Sequence, residues 1–294
     1  MEEKCLRVRA NAKVNLALHI TGQQLDGRHI LDSLVAFPDF GDELYFEKAD
    51  DLSLSVSGPF GNELLQENKS GPNIIIKAAQ LIKEQDNGAA IKLIKNLPLA
   101  SGIGGGSSDA AVTLKTLSRL WNKKMPELKD ILDLGSDVPV CLSNELQRMQ
   151  GIGEIRTVLD PPPPMWIVLA NPGVRIPTAK IFNYLKSKHN GELEPFQRIN
   201  DLETFFQYLK RQRNDLESVT TTLFPEVDGM LEVINETLHC KLCRMSGSGA
   251  TCFGLYTRES HAIEAEEKIK ESFSKAWVVS APLFSINSRN NIVG

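Results

Sequence analysis

The chain has 294 residues, which is longer than a typical single domain, so its length predicts a globular protein with two lobes. Hydrophobic residues make up 41% of the sequence, charged residues 24% and aromatic residues 6%, and this balance excludes the disordered and fibrous classes. The formal net charge of −4 and the absence of a long Lys/Arg run disfavour binding to nucleic acid or to an acidic membrane surface.

The sequence shows no targeting or membrane-spanning segment. Two glutamates follow the first residue and no uninterrupted apolar core comes after them, so the start does not resemble a signal peptide. No apolar stretch approaches the roughly 20 residues that cross a bilayer. The five cysteines have no framework spacing, and Cys240 and Cys243 lack a second pair that would complete a zinc site. We therefore expect a cytoplasmic protein in a reducing compartment, with no membrane partner.

The first part of the chain is predicted to form mainly strands. Near-alternation of aliphatic residues predicts a strand pair over residues 6–20, before the turn-rich stretch TGQQLDGRH. DELYFEKA and DLSLSVSG continue the strand pattern, whereas residues 58–73, GPFGNELLQENKSGPN, predict a loop. A helix is predicted over residues 74–83 with Asn73 as its N-cap, and AIKLIKNLP predicts another strand.

Helices and strands alternate in the rest of the chain. Helices are predicted over residues 108–122 and 126–134. Four prolines at residues 161–164 mark a stiff connection, so we expect an N-terminal domain over residues 1–160 and a C-terminal domain over residues 161–294. The second domain is predicted to contain strands at MWIVLANPG, AWVVSAPL and both sides of SGSG, helices near residues 178–186, 202–210, 227–238 and 261–273, and a frayed ten-residue tail. These patterns predict an α+β protein.

The stretch LPLASGIGGGSSDAA, residues 97–111, places four glycines and three serines between a predicted strand and a predicted helix. Unpaired N–H groups at a helix N-terminus favour an anion, and glycine lets the backbone surround a phosphate. The stretch lacks the Gly-Lys-Ser/Thr of a Walker A loop, and Ser107 stands where a dinucleotide fingerprint requires Gly or Ala. A flexible surface loop is the alternative, but such a loop need not adjoin an amphipathic helix. The composition suits a nucleoside triphosphate, with the serine hydroxyls available to Mg²⁺ or phosphate oxygens.

This stretch resembles the Pro-x-x-x-Gly-Leu-Gly-Ser-Ser-Ala-Ala phosphate loop of the GHMP kinases, a family that includes galactokinase, homoserine kinase and mevalonate kinase. ANAKVNLALHITGQQLDGRH and GSDVPVCL resemble the signatures of one branch, which acts in the non-mevalonate pathway of isoprenoid synthesis on a cytidine diphosphate derivative of a sugar alcohol. MQGIGEI, NPGVRIPTAKIF, NDLE and CRMSGSGATCF extend the likeness over nearly the whole chain. The resemblance implies a two-domain GHMP kinase fold, an active site in the cleft between the lobes, and phosphorylation of an alcohol by ATP with Mg²⁺.

The resemblance implies two catalytic residues, Asp137 in GSDVP and Lys13 in AKVN. Transfer of a γ-phosphoryl group to an alcohol needs a carboxylate that takes the hydroxyl proton and a cation that stabilises growing negative charge. A single Lys or Asp is usually a solvated surface charge. These two roles are therefore supported only by the position of each residue in a matching motif. Whether Asp137 acts as a base or mainly positions the alcohol stays open, because phosphoryl transfer depends chiefly on positioning and charge stabilisation.

The resemblance also implies the ATP-binding residues. Asn73 and Lys95 would contact adenine, although Asn73 is equally well explained as a helix cap. The triphosphate would be surrounded by Pro98, Leu99, Ala100, Ser101, Gly102, Ile103, Gly104, Gly105, Gly106, Ser107 and Ser108. Ser107 or Ser108 would contact Mg²⁺ through Mg–ATP, and the sequence assigns no other metal ligand.

The cytidine end of the substrate would contact Asn15, His29, Thr178 and Phe182, with Phe182 stacked on the pyrimidine. Without the family, a lone Phe in KIFNYL is more typical of a core residue. One position departs from the family pattern, because Arg28 precedes the histidine where the family usually has an aromatic residue. A guanidinium can lie flat on a ring, so Arg28 either replaces the aromatic residue by a cation–π contact or leaves cytidine more weakly bound.

Several alternatives stay open at the sequence level. SGSGA, residues 246–250, resembles the third glycine motif of the family, which closes over the site from the second lobe, and is equally typical of a tight β-turn. The function is that of the cytidine-dependent branch, of another small-molecule GHMP kinase, or of a non-catalytic ligand sensor with the same fold. DGRH with GSDVP disfavours the second, and the presence of both Lys13 and Asp137 disfavours the third. We expect a small-molecule partner, no nucleic acid, and a monomer or weak homodimer.

Overall fold

The computed structural model describes residues 5–67, 71–84, 86–285 and 292–293. Helices and mostly antiparallel strands are mixed along these residues, which confirms the predicted α+β class. The strands are β1 (Leu6–Asn11), β2 (Val14–Gln23), β3 (His29–Ala36), β4 (Gly41–Ala49), β5 (Leu52–Ser57), β6 (Gly88–Ile94), β7 (Gln147–Gly151), β8 (Ile155–Val158), β9 (Met165–Asn171), β10 (Leu242–Met245), β11 (Cys252–Tyr256), β12 (Trp277–Leu283) and β13 (Ile292–Val293). The helices are α1 (Gly61–Glu67), α2 (Ile74–Ile82), α3 (Gly105–Leu120), α4 (Leu128–Leu134), α5 (Thr178–Tyr184), α6 (Leu202–Arg211), α7 (Glu217–Leu223), α8 (Pro225–Asn235) and α9 (Glu259–Ser272).

Three sheets form the framework of the described residues. The first has the strand order β13-β1-β4-β6-β5, in which β5 and β6 are parallel and the other neighbours antiparallel. The second sheet, β2-β3-β7-β8, and the third, β10-β11-β9-β12, are antiparallel. Helices α2 and α3 pack on each other, and α3 also packs on β1 and β4 of the first sheet.

The buried side chains form clusters that join distant parts of the chain. One cluster lies between the first sheet and helices α2, α3 and α4. A second contains Leu16 of β2 and Leu34 of β3 together with Phe205 of α6 and Phe253 of β11. Because β2 begins directly after Lys13, the strand that leads away from this lysine is fixed by side chains from the C-terminal half of the chain.

The prediction of a loop over residues 58–73 is wrong, because this segment contains α1. The Gly and Pro residues that indicate a loop lie outside the helix or, like Gly61, at its first position, and its middle contains Glu63, Leu64 and Leu65, which are helix-compatible residues. Leu64 packs against the cluster beneath the first sheet, so tertiary packing stabilises this short helix. The neighbouring turn residues gave no indication of it in the sequence.

The helix after the glycine loop begins at Gly105, three residues before the predicted start. Gly105 and Gly106 therefore belong to the first turn of α3 rather than to a preceding loop, and their backbone N–H groups lie at the helix N-terminus. At the other end of the chain, Ile292 and Val293 pair with β1, so the predicted fraying is wrong for these two residues. The prediction for residues 286–291 and 294 lies outside the described residues.

Candidate active site

A cavity of about 490 Å³ brings together residues from separate sequence motifs. The two predicted catalytic residues and three predicted substrate-binding residues line it, namely Lys13, Asp137, Asn15, Thr178 and Phe182. Most of the predicted ATP-binding residues also line it, namely Asn73, Lys95, Pro98, Leu99, Ala100, Ser101, Gly102, Gly104, Gly105, Gly106 and Ser107. The predicted residues outside this lining are Arg28, His29, Ile103 and Ser108.

The phosphate loop ends at the N-terminus of α3, beside Lys13. Gly104 is the N-cap residue, with a φ of 61°, and a Cβ atom there would lie 3.0 Å from Lys13 Cβ. The positive φ and this close approach both favour glycine at position 104. Gly105 and Ser107 in the first turn line the cavity, where the unpaired N–H groups of the helix favour an anion. The loop therefore offers a phosphate site next to a lysine.

Lys13 and Asp137 form an ion pair in this cavity. Lys13 Nζ lies 2.8 Å from Asp137 Oδ2 and donates a hydrogen bond of 3.0 Å to Asn15 Oδ1. Lys13 is 4% exposed, whereas a third of the Asp137 side chain is exposed, so the carboxylate is accessible and the ammonium is held behind it. Backbone bonding fixes Lys13 as well, since its N–H donates to Ile103 O at 2.8 Å.

Asp137 is positioned by the turn that follows α4. This helix ends at Leu134, and Val138 N donates to Gly135 O at 3.0 Å, which closes a tight turn around the aspartate. A short 3₁₀ helix, Val140–Leu142, follows. The thiol of Cys141 is buried, and burial raises its pKa to about 12, with the negative charge of Asp137 acting in the same direction. This thiol is therefore a packing group rather than a nucleophile.

The ammonium of Lys95 lies between two buried carboxylates. Its Nζ is 2.6 Å from Asp42 Oδ2 and 2.7 Å from Asp109 Oδ2, and all three side chains are at most 3% exposed. Burial raises the pKa of Asp109 to about 8, although the positive charge of Lys95 opposes this shift. Burial alone would lower the pKa of Lys95, but the attraction of Asp109 and Asp42 raises it above its ordinary value. If Lys95 contacts the nucleotide, it does so while its ammonium is paired with Asp42 and Asp109.

Sequence reasoning missed both carboxylates. Asp109 lies within the stretch LPLASGIGGGSSDAA, so its position in the motif was the available signal. Asp42 is 53 residues before Lys95, on β4, and also accepts hydrogen bonds from the backbone N–H groups of Asn96 and Leu97. No local pattern indicates this contact, because it depends on the pairing of β4 with β6.

The predicted cytidine-binding residues are arranged around a ring stack. The rings of His29 and Phe182 are stacked with centroids 4.5 Å apart and planes at 27°. His29 Nε2 is buried without a hydrogen-bond partner among the described residues, and burial together with the charge of Lys188 lowers the pKa of this histidine. Arg28 is exposed and forms an ion pair of 2.6 Å with Asp26, outside the cavity lining.

The SGSGA stretch forms a turn between β10 and β11, and this turn contacts the phosphate loop. Ser246 Oγ donates to Gly102 O at 3.0 Å and accepts a hydrogen bond of 3.0 Å from Asn15 N. Gly247 and Ser248 line the cavity. Both interpretations of the sequence thus describe one feature, a tight turn placed against the site.

The residues near the phosphate loop are compatible with Mg²⁺ held mainly by a nucleotide. Among the described residues there is no group of three or more His, Cys, Asp or Glu side chains that could hold a metal ion, and Cys240 and Cys243 are free thiols. Mg²⁺ commonly binds through phosphates, waters and one or two protein oxygens. Ser107 lines the cavity, so its hydroxyl oxygen fits that chemistry, whereas Ser108 is buried outside the lining.

No helix in the described ranges has both the length and the apolar character needed to span a membrane.

Comparisons with known proteins agree with this geometry. The family model "GHMP kinases N terminal domain" matches residues 73–145, and "GHMP kinases C terminal" matches residues 193–275. The chain is 45% identical over 276 residues to a protein of Cereibacter sphaeroides named 4-diphosphocytidyl-2-C-methyl-D-erythritol kinase, with 92% of this chain and 97% of the relative covered. A relative of the same name from Paramagnetospirillum magneticum is 42% identical, with 95% and 98% covered.

Solved structures give the same result. A crystal structure of 4-(cytidine 5′-diphospho)-2C-methyl-D-erythritol kinase has a TM-score of 0.76 and 30% identity, and the match covers 94% of this chain and 98% of that one. A homoserine kinase from Cytophaga hutchinsonii, at 17% identity and a TM-score of 0.65, has the same fold, with 96% and 98% covered. The predicted GHMP kinase fold is thus confirmed. The chain belongs to the GHMP kinase family and, within it, to the 4-diphosphocytidyl-2-C-methyl-D-erythritol kinases.

Proposed function

We propose that this ATP-dependent kinase phosphorylates the 2-hydroxyl of 4-(cytidine 5′-diphospho)-2-C-methyl-D-erythritol, giving the 2-phosphate and ADP in the non-mevalonate pathway of isoprenoid synthesis. The main support from the geometry is the Lys13–Asp137 ion pair of 2.8 Å, which lines the same cavity as the start of α3. A carboxylate, a cation and a phosphate-binding helix N-terminus are the groups that phosphoryl transfer to an alcohol requires.

Asp137 accepts the proton of the 2-hydroxyl while the alcohol oxygen forms its bond to the γ-phosphorus of ATP. The bond from the γ-phosphorus to the oxygen that bridges the β- and γ-phosphates breaks, and ADP leaves with the electron pair of that bond. Lys13 stabilises the negative charge on the reacting oxygen and holds the Asp137 carboxylate in place, because its own ammonium is fixed by Asn15. The first turn of α3 binds the triphosphate through its N–H groups.

Mg²⁺ bound with ATP would neutralise charge on the phosphate oxygens. Ser107 or Ser108 would supply a hydroxyl oxygen on the protein side, and of the two Ser107 lines the cavity. Asn73, Lys95 and the loop over residues 98–108 bind the nucleotide in this proposal.

The cytidine end lies on the side of Phe182, with Asn15 and Thr178 nearby. Cytosine either displaces His29 from the ring of Phe182 or stacks on the opposite face of that ring. The unpaired Nε2 atom of His29 is then available to the base. Arg28 reaches cytosine only if its pairing with Asp26 opens, so it is the least supported of the proposed contacts.

The proposal includes a small-molecule partner, no nucleic acid or membrane partner, a cytoplasmic location, and a monomer or weak homodimer. The formal net charge of −4 supports the exclusion of polyanionic partners.

Release of ADP from Mg–ATP tests the proposed substrate. Four alcohols are assayed in parallel at equal concentration: the cytidine diphosphate of methylerythritol, mevalonate, homoserine and galactose. We expect turnover of the cytidine compound alone, with ³¹P NMR locating the new phosphate on the 2-hydroxyl. Preference for another alcohol would assign a different GHMP kinase activity, and ATP binding without any turnover would indicate a ligand sensor.

A further inference from the structure

The motif NDLE, residues 214–217, lies outside the catalytic groups described above, and its side chains hold the Ser246–Ala250 turn. We propose that Asn214, Glu217 and the nearby Thr220 are positioning residues for phosphoryl transfer, because they fix this turn against the phosphate loop and against Asn15. This inference rests on the proposed function for its kinetic readout, and on backbone geometry for a second readout that needs no substrate.

Asn214 is fixed so that its amide nitrogen faces two carbonyl oxygens of the turn region. Its Nδ2 donates hydrogen bonds of 2.8 Å to Met245 O and to Gly247 O. Its Oδ1 accepts a hydrogen bond of 3.0 Å from Leu216 N, and this donor defines which end of the amide is oxygen. Asn214 is 6% exposed, so water does not replace these bonds if they are lost.

Two further side chains complete the support. Glu217 Oε2 accepts a hydrogen bond of 2.7 Å from Met245 N, on strand β10 at the edge of its sheet. Thr220 Oγ1 donates to Ser248 O at 3.3 Å from a fully buried position on α7. Three side chains spaced three residues apart, those of Asn214, Glu217 and Thr220, thus bind backbone atoms from Met245 to Ser248.

The supported turn touches both sides of the reaction centre. Ser246 Oγ joins Gly102 of the phosphate loop to Asn15, the residue that binds the ammonium of Lys13. Ser248 Oγ lies 2.9 Å from the Thr178 hydroxyl at the start of α5. A displacement of the turn therefore moves groups on the nucleotide side and on the acceptor side.

The same segment is also fixed to β2, the strand that contains Asn15. Asp215 N donates to Leu18 O at 2.9 Å, and Asp215 Oδ2 accepts a hydrogen bond of 2.7 Å from Ile20 N. One segment thus sets the position of β2 and of the turn relative to each other. Neither Asn214 nor Glu217 lines the cavity, so the role is positioning rather than contact with substrate.

Two matched pairs of variants test this role. Thr220→Val removes the hydroxyl that binds Ser248 O, whereas Thr222→Val removes a hydroxyl on the same helix that binds only Ser218 O within α7. Asn214→Asp places an oxygen opposite the two carbonyls, and Asn235→Asp makes the same change at an exposed position on α8. If Asn214→Asp does not fold, the threonine pair still gives the result.

The measurements are kcat, KM for ATP and for the cytidine substrate, the Tm, and hydrogen exchange of the amides at residues 101–104 and 246–251. We expect kcat to fall about 10- to 100-fold for Asn214→Asp and about fivefold for Thr220→Val, with both KM values changing less than kcat. Exchange in both amide ranges should become faster in these two variants. The controls should keep all values within twofold of the native protein.

The proposal is overturned if kcat stays within twofold of native, or if exchange at residues 101–104 is unchanged, even where the Tm falls. Such results assign the segment a purely structural role. If the native protein does not phosphorylate the cytidine substrate, the proposed function fails, and the exchange comparison alone then decides this inference.

Discussion

Lys13 is almost fully buried, and two oxygen atoms within 3.0 Å satisfy its ammonium, Asp137 Oδ2 and Asn15 Oδ1. An unpaired buried charge would be costly, so these partners are needed for the lysine to stay charged inside the protein. The same contacts orient the Asp137 carboxylate toward the cavity. The contacts that keep the buried ammonium paired are thus also the contacts that hold the proposed catalytic carboxylate.

His29 gives a pH-dependent prediction at the level of one residue. Its pKa is lowered by burial and by Lys188, so the neutral form predominates at neutral pH. In the proposed cytidine site, Nε2 of His29 would be protonated as the pH falls below the ordinary histidine value, and protonation changes the hydrogen bonds that this atom can make. We expect KM for the cytidine substrate to be constant from neutral to mildly alkaline pH and to rise on the acid side.

The control for this profile is His29→Gln, which has no titrating ring. Its KM should be higher than native but nearly independent of pH over the same range. An unchanged acid limb in this variant would assign the titration to another group and remove His29 from the cytidine site.

At the scale of elements, the site depends on the contact between the phosphate loop and the Ser246–Ala250 turn. Gly102 has a φ of 77°, and a Cβ atom there would lie 2.5 Å from Ser246 O and 2.7 Å from Gly249 O. Neither backbone oxygen can move without moving the turn. The close approach of these two elements therefore requires glycine at position 102.

Substitution in the phosphate loop tests this contact. Gly102→Ala should lower the free energy of unfolding by roughly 2 kcal/mol, because it combines an unfavourable backbone conformation with a backbone collision. Gly106→Ala is the matched control, since its φ is not positive and its added Cβ would lie 3.8 Å from Ile74 Cγ2. Denaturant unfolding of both variants gives the difference, and equal stabilities would contradict the contact.

Helix α2 allows the two interpretations of Asn73 to be separated. Asn73 Oδ1 accepts a hydrogen bond of 2.8 Å from Ile75 N, so it caps the helix, and the residue also lines the cavity. Asn73→Ala should cost about 1 kcal/mol of stability through the lost cap. Asn73→Asp keeps the capping oxygen but loses the amide donor, so we expect native stability with KM for ATP raised about fivefold. A native KM for ATP in Asn73→Asp would leave the cap as its only role.

Local patterns were sufficient for elements whose signals are local. The cap at Asn73, the apolar face of α2 and the strands on either side of the SGSG turn all follow from residues that are close in sequence. The glycine loop could be placed beside a helix start, although α3 begins earlier than its apolar pattern indicates. The family resemblance, rather than periodicity, provided the proposed catalytic pair, Lys13 and Asp137.

Contacts between distant residues could not be predicted in this way. The Asp42–Lys95 pair joins β4 to the residue that follows β6, and the His29–Phe182 stack joins β3 to α5. Helix α1 is stabilised by packing that its turn residues do not reveal. In each case the contact or the helix is stabilised by residues that are distant in sequence. A single sequence does not indicate which distant residues will be in contact.

At the scale of the whole molecule, the two halves of the chain share a buried core. Leu16 and Leu34 from the second sheet pack with Phe205 and Phe253 from the C-terminal half, in one cluster. The domain boundary between residues 160 and 161 stays a prediction. Buried side chains from both sides of this boundary belong to the same cluster. Cooperative unfolding of both halves is the expected consequence.

Calorimetry measures this cooperativity. We expect one transition, with a calorimetric enthalpy close to the van't Hoff enthalpy, and an upward shift of the whole transition by Mg–ATP. Two separate transitions, with only one moved by the nucleotide, would contradict the shared core.

In the proposed reaction, Asp137, held by Lys13, promotes phosphoryl transfer to the alcohol. Single-turnover formation of the phosphorylated cytidine product by Asp137→Asn tests it most directly, with Asp133→Asn, an exposed position on α4, as the matched control. We expect a rate about 10²–10⁴-fold lower for Asp137→Asn at saturating substrates, with native-like binding of both substrates and an unchanged fold, and a native rate for the control. A rate for Asp137→Asn within tenfold of native would contradict the assignment of Asp137 as the catalytic carboxylate.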